Sequence, residues 1–261
     1  AAMTTERLIV TRQWPVDSAN PKAAVLERRL HKARSSLVSW SREIGLLEEG
    51  IGRYAGPRAR VLEVACGAGL TLMELAARGF RANGLEADPA LCALVYAAAK
   101  RFDLPAMSIC GDACHLPFTT GSHDAVLSRS FFEHVYDRDL ALDEQLRVLR
   151  AGGVLLINDG NLLNPRLLFD LLVSYPIRTR GKHGGLHWLL TKRRVHQNLY
   201  GYLPLGRDED VKTPSWWRRF MRRHANCRLV EVGTSARAMH PGTPAFLRPF
   251  LGSCHVIALK V

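Results

Sequence analysis

The chain has 261 residues, 47% of them hydrophobic and 23% charged, enough to bury the core of one full α/β domain with additions but short for two independent domains. That balance excludes a disordered or low-complexity chain, and no run approaches the roughly 18 apolar residues needed to cross a bilayer. The net charge of +12 is uneven: residues 159–261 hold 17 Lys and Arg against 6 Asp and Glu, while residues 1–158 hold 19 against 18. The surplus points either to an anionic partner for the C-terminal part, or to the arginine bias of a GC-rich genome, since only 7 of the 36 basic residues are lysines.

In chain order, Ala1-Ala2-Met3 with Glu6 and Arg7 reads as no signal segment, the two alanines as an addition ahead of Met3. From Ser18 to Gly56 the spacing of Leu26, Leu30, Leu37, Trp40, Ile44 and Leu47 predicts helix with one buried stripe, ended by Pro57. Strands and helices then alternate. Strands are expected over Arg60–Ala65, Phe80–Glu86, Met107–Cys110, Ala125–Ser128 and Gly153–Asn158, the last after an Ala151-Gly152-Gly153 turn. Helices are expected over Leu70–Arg78, Pro89–Arg101 (capped by Asp88) and Leu140–Leu149. This rhythm implies a parallel sheet covered on both faces. After Asp159 it breaks for about 55 residues, which contain one clear helix, Pro165–Ser174, and a connection of that length suggests a substrate lid. It returns with helix Trp216–His224 and strands Arg228–Val232 and His255–Lys260. Six scattered cysteines without a C-x-x-C pair suit a reducing cytoplasm and neither a disulfide framework nor a zinc site.

Three acids close three successive strands. In Glu63-Val64-Ala65-Cys66-Gly67-Ala68-Gly69 a buried strand enters a glycine turn and then a helix, where the backbone can approach a ligand closely. Leu72 stands where a dinucleotide fingerprint would want a third glycine, and Glu63 is better placed to attract a cation than to cradle a pyrophosphate. Glu86, 17 residues past Gly69, can accept both hydroxyls of a ribose, with Ala87 beside it. Asp112 can accept from an exocyclic adenine amine while the Ala113 N–H faces a ring nitrogen. Each acid could instead be a cap or a solvated loop charge, but the strand ends of an open α/β sheet form its ligand crevice.

Together with His123-Asp124-Ala125-Val126, Glu133-His134-Val135 and Arg147-Val148-Leu149-Arg150-Ala151-Gly152-Gly153, these segments resemble a class I S-adenosylmethionine-dependent methyltransferase over about residues 55–160. Two departures are Ala65 where the family often has glycine and Ala151 where it often has proline. The resemblance implies a Rossmann-like doubly wound seven-stranded sheet with one antiparallel strand near an edge, and S-adenosylmethionine as cofactor. Cys110, Cys114 and His115 could be imagined as metal ligands, but Asp112 already has a role and a fourth ligand is missing, so no metal is expected. It implies that Glu63 and the Ala65, Cys66, Gly67 and Gly69 loop surround the methionine part, that Glu86 and Ala87 take the ribose, and that Asp112 and Ala113 take the adenine. Arg129 and Ser130 would line the boundary between cofactor and acceptor. The chain divides into an N-terminal helical cap (1–56), the cofactor-binding core (57–160), an inserted lid (161–214) and the end of the sheet (215–261).

For the acceptor side, His134 could serve as a base or pack and hydrogen-bond, and His183 and His187 in the lid are further candidate bases or surface histidines. Tyr175, Arg178, Arg180, His187, Trp188 and Tyr200 mix aromatic and basic character and would bind an anionic small-molecule acceptor. The apolar helix Pro165–Ser174 could be buried, pair with a second copy in a homodimer, or meet a lipid-like substrate; Trp216–His224 could pack on the sheet or face a membrane or nucleic acid. The reading is a methyltransferase for a small or medium-sized anionic acceptor such as a natural product, glycan or lipid-linked intermediate. The alternatives are an RNA methyltransferase using the basic C-terminal half, and a non-catalytic cofactor-binding protein.

Overall fold

The computed structural model describes residues 8–165, 169, 211–234 and 253–261. A 3-10 turn (Ile9–Thr11) leads to α1 (Ala23–Ser35) and α2 (Leu37–Ala55). Then follow β1 (Arg60–Val64), α3 (Leu70–Ala77), β2 (Arg81–Glu86), α4 (Pro89–Phe102), β3 (Ala106–Cys110), β4 (His123–Arg129), α5 (Arg138–Val148) and β5 (Leu149–Asp159). Further along the chain lie α6 (Pro214–Met221), β6 (Cys227–Thr234) and β7 (Cys254–Lys260).

The strands form one seven-stranded sheet in the order β3-β2-β1-β4-β5-β7-β6. The first five run parallel, and β7 lies antiparallel between β5 and β6. Alternation along the strands sorts the core into two layers. Val61, Leu127 and Leu156 face α1 to α4, while Leu62, Val126 and Leu155 face α5 and α6. The apolar side of α6 is core, as its spacing allowed: Trp217 is fully buried, edge-on to Phe132 at 5.3 Å. Burying such a side chain contributes about 1.5–3 kcal/mol.

Three expectations need correction. The segment from Ser18 to Gly56 is two helices, broken at Ser36, whose neighbour Ser35 turns its hydroxyl back to Lys32 O; serines compete with the helix for backbone partners. Strand β5 begins at Leu149 and runs through the glycines expected to turn, because Leu149 pairs with His123 and a register shift absorbs the extra residues before Ala125 pairs with Val154. Helix α6 begins at Pro214, where the Thr213 hydroxyl accepts from the Trp216 N–H, and ends at Met221. Of the expected helix Pro165–Ser174, only Pro165 and Phe169 are among the described residues, both helical.

The N-terminal helices are fastened to the sheet by a buried charge. Glu74 on α3 accepts the Val10 N–H at 3.1 Å and the Trp40 indole N–H at 3.2 Å, and pairs with Arg78 at 2.8 Å.

Candidate active site

The carboxyl ends of β1, β2 and β3 lie side by side. Glu63 is level with Gly84, so Glu86 stands two residues, about 7 Å, further along its strand. Gly84 permits the close packing behind this edge: a methyl group there would meet Cys66 Sγ at 2.6 Å and Leu72 at 3.1 Å. The chain leaves β1 with Ala65 in the left-handed region (φ 58°), and Gly69, also left-handed (φ 77°), opens α3. An alanine at position 69 would be strained in φ and would touch Val95 at 2.8 Å.

Glu63 is buried, and among the described residues its Oε2 has no hydrogen-bond partner. Burial pushes its carboxyl up to about 7, against the pull of Arg129 and Arg29 and hydrogen bonds from Thr71 and the Leu72 N–H. Glu86 is buried too; it accepts the Gly67 N–H at 2.8 Å and the Asp88 N–H at 3.1 Å, and burial raises its carboxyl despite these bonds. Cys66 is a buried thiol against Ser108 Oγ at 3.3 Å, its ionisation pushed well up by burial and the nearby Glu63. Ala87 is exposed and Ala113 half-buried. Asp112 is exposed; partial burial acts to raise its carboxyl but is outweighed by hydrogen bonds from the Cys114 N–H (2.9 Å), Tyr136 OH (2.7 Å) and His115 Nδ1 (3.1 Å).

The loop carrying Asp112 and Ala113 is clasped by α5. Glu144 accepts the Leu116 N–H at 2.7 Å, and Arg147, paired with Glu144 at 2.6 Å, donates to the Leu116 and Phe118 carbonyls. At the end of β4, Arg129 donates to the Thr71 hydroxyl and the Glu43 carboxylate and lies 5.6 Å over the Trp40 ring. Ser130, left-handed at φ 49°, donates its N–H to Asn158 O at 2.8 Å. His134 follows, half-buried, its Nε2 3.6 Å from Glu133 Oε1. Asp159, at the end of β5, accepts the Phe131 N–H at 2.8 Å and so holds this loop. Burial raises its carboxyl to about 7 against bonds from the Phe131 and Phe132 N–H groups and the Arg138 charge. His183, His187, Tyr175, Arg178, Arg180, Trp188 and Tyr200 lie outside the described residues. Among the described residues no group of three or more His, Cys, Asp or Glu could hold a metal ion, and no helix is long and apolar enough to cross a membrane.

One edge of the sheet thus gathers every cofactor residue expected from the sequence. It also gathers residues that sequence reading missed: Arg29, Trp40 and Glu43 from the N-terminal helices, Thr71, Tyr136 and Asp159. The edge suits a ligand with a cationic amino-acid end and a nucleoside, because a buried carboxylate oxygen without a partner calls for a cation or donor.

The sheet order defines a Rossmann-like α/β domain with acids at three successive strand ends. Residues 62–157 match the methyltransferase-domain family. A demethylmenaquinone methyltransferase from Mycobacterium sp. (strain KMS) is 38% identical over 120 residues, 46% of this chain and 50% of that protein. One from Thermobifida fusca (strain YX) is 30% identical over 146 residues, 55% of this chain and 58% of that protein. The chain spans about half the length of the curated relatives it matches. Among solved structures, geranyl diphosphate C-methyltransferase from Streptomyces coelicolor A3(2), in complex with Mg2+, geranyl diphosphate and S-adenosyl-L-homocysteine, shares the fold with a TM-score of 0.55 at 17% identity, covering 95% of this chain and 89% of that one.

Proposed function

We propose that the chain is an S-adenosylmethionine-dependent methyltransferase acting on a small or medium-sized, anionic acceptor of the natural-product or lipid-linked kind. The observation that carries this reading is the buried Glu63 carboxylate with an unpartnered oxygen, in line with Glu86 and Asp112 at successive strand ends. The basic C-terminal part supports an anionic acceptor, and relatives named for demethylmenaquinone support the lipid-like kind.

When bound, S-adenosylmethionine supplies a methyl group on an electrophilic sulfonium. The chain's residues then have to hold, orient and exclude water. Glu63 would hold the cationic methionyl end, and the Gly67–Gly69 turn would let the backbone approach it. Glu86 would accept from the ribose hydroxyls with lone pairs left over from Gly67 and Asp88, with Ala87 beside it. Asp112 and Ala113 would take the adenine. Arg129, Ser130 and His134 stand on the β4 loop that Asp159 fixes, where the acceptor must be aligned behind the methyl; alignment of this kind can supply about 7–11 kcal/mol of the barrier. For a hydroxyl acceptor, His134 beside Glu133 is the candidate base on this loop. His183 and His187 are further candidate bases, and Tyr175, Arg178, Arg180, His187, Trp188 and Tyr200 candidate acceptor-binding residues, all outside the described residues.

Calorimetry with S-adenosylmethionine tests the cofactor reading: Glu86→Ala and Asp112→Ala each weaken binding at least tenfold, and unchanged affinities would overturn the placement. Transfer of labelled methyl to demethylmenaquinone or an organic-extractable acceptor supports the acceptor class. Tight, steeply salt-dependent binding and methylation of RNA instead would refute it.

A further inference from the structure

Beside the end of β2, three thiols gather around the hydroxyl of Ser108. Cys66 is buried, Cys92 on α4 is half-buried, and Cys110, the last residue of β3, is exposed. The Ser108 hydroxyl bridges the first two: it lies 3.3 Å from Cys66 Sγ and donates to Cys92 Sγ at 3.5 Å. Cys66 and Cys92 therefore meet through an oxygen. Cys110, two residues beyond Ser108 on the same face of β3, is instead a direct hydrogen-bonding neighbour of Cys92.

Both members of this pair lean on the turn that carries the ribose acid. Cys92 donates its S–H to Glu86 O at 3.6 Å, and Cys110 donates to the next carbonyl, Ala87 O, at 3.5 Å. The Gly111 N–H, at the start of the adenine loop, also donates to Glu86 O, at 3.0 Å. Burial pushes the Cys92 thiol up, and Cys110 adds to this against the Ser108 hydroxyl. The exposed Cys110 is thus the thiol placed to react first, and Cys92 the one placed to resolve it.

We infer that Cys92 and Cys110 form a reversible oxidation site that peroxide closes to a disulfide and, resting here on the cofactor reading above, that closing it lowers the affinity for the cofactor. The Cys110 thiolate attacks one oxygen of hydrogen peroxide and breaks the O–O bond. This leaves a sulfenic acid, and the departing hydroxide takes the proton that Cys110 released. The Cys92 sulfur then forms the S–S bond and expels the sulfenic oxygen as a second water. Each sulfur gives up one electron and the peroxide takes two, so two thiols and one H2O2 become one disulfide and two waters. A disulfide has no S–H, so Glu86 O and Ala87 O lose both donors while α4 becomes tied to the end of β3. Such a bond is transient and differs from a structural disulfide framework.

The test uses the full chain, reduced and then treated with hydrogen peroxide. Lys100 and Arg101 lie between the two cysteines, so a tryptic digest without reductant separates their peptides unless they are linked. Mass spectrometry is expected to find them joined at a loss of two hydrogens, fragmentation placing the bond at Cys110 and not Cys114, and dithiothreitol parting them. By calorimetry, S-adenosylhomocysteine binds the oxidised protein about fivefold or more weaker than the reduced one, and dithiothreitol restores it. Saturating S-adenosylhomocysteine in turn slows the cross-link. Cys110→Ser binds as the reduced wild type does and is indifferent to peroxide. In Cys92→Ser, oxidation stops at a Cys110 sulfenic acid that a 1,3-dicarbonyl probe captures. No link between these two residues, a link through another cysteine in its place, or a link that leaves affinity unchanged would overturn the inference. A reduced protein that binds no S-adenosylhomocysteine, yet still forms the link with peroxide, would mean that the cofactor reading has failed while the oxidation site stands.

Discussion

Replacing Glu63 by glutamine keeps the shape of the side chain and removes its charge. In the ligand-free folded protein, burial holds the Glu63 proton to about pH 7, whereas the unfolded chain releases it near 4.5. Between those two values the folded state binds the extra proton, so stability declines as pH rises through that window and levels off above it. At 1.36 kcal/mol per pH unit, the full effect is about 3 kcal/mol. A glutamine there cannot ionise, so Glu63→Gln gains on the wild type by about 2–3 kcal/mol between pH 5 and pH 8. Asp159, also raised to about 7, titrates in both proteins and cancels from the difference. Urea denaturation at pH 5, 6, 7 and 8, without cofactor, measures this directly. A difference that stays flat with pH would show that Glu63 ionises normally and that its burial does not penalise the charge. The same substitution should weaken S-adenosylmethionine binding at pH 8, and in the wild type that binding should weaken as pH falls below about 7, by up to tenfold per unit. Stability gained together with affinity lost is what a charge kept for a ligand predicts.

Two further outcomes probe the frame around the site. Glu74→Ala leaves the Val10 N–H and the Trp40 indole without their acceptor and Arg78 without its buried partner, so it should cost about 3–5 kcal/mol by denaturant titration; a loss below about 1 kcal/mol would mean that the N-terminal helices are held by their other contacts and not by Glu74. Ala65→Gly relieves a left-handed alanine, worth about 1–2 kcal/mol, at an entropic cost of about 0.5–1, for a net gain of about 0.5–1 kcal/mol. A lowered melting midpoint would count against that accounting.

Local pattern carried much of the fold. The strand-end acids, the glycine turn and the cap at Asp88 are legible because each depends on a few neighbouring residues, and the seven strands follow from their apolar runs. What could not be read were contacts between distant segments. Trp40 and Glu74 are 34 residues apart, and Glu43 and Arg129 are 86 apart, with no periodicity to announce either pair. The start of β5 was misread for the same reason: Ala151-Gly152-Gly153 is turn-like in composition, but pairing of Leu149 with His123 carries the strand through it. Ala65 stood out in the sequence as a departure from glycine, and its left-handed backbone gives that departure a physical meaning.

The two ends of the sheet treat their charges differently. At the amino end, Asp124 accepts the Arg60 N–H and side chain and the Arg150 Nε, all between 2.8 and 3.1 Å, and its carboxyl is held well below the usual range by Arg60 first of all. That carboxylate is fully answered within the chain and stabilises the fold down to strongly acid pH. At the carboxyl end, Glu63 and Asp159 each keep a buried oxygen that no described residue answers, and Ala65 and Ser130 leave their strands in left-handed conformations. Left-handed residues also stand at Arg58 and Asp103, and partnerless buried polar atoms at Gln145 and Trp217. What sets the carboxyl edge apart is charge: among the described residues the buried carboxylate oxygens without a partner are those of Glu63 and Asp159, both at that edge, as follows if it is shaped for something the chain itself does not contain.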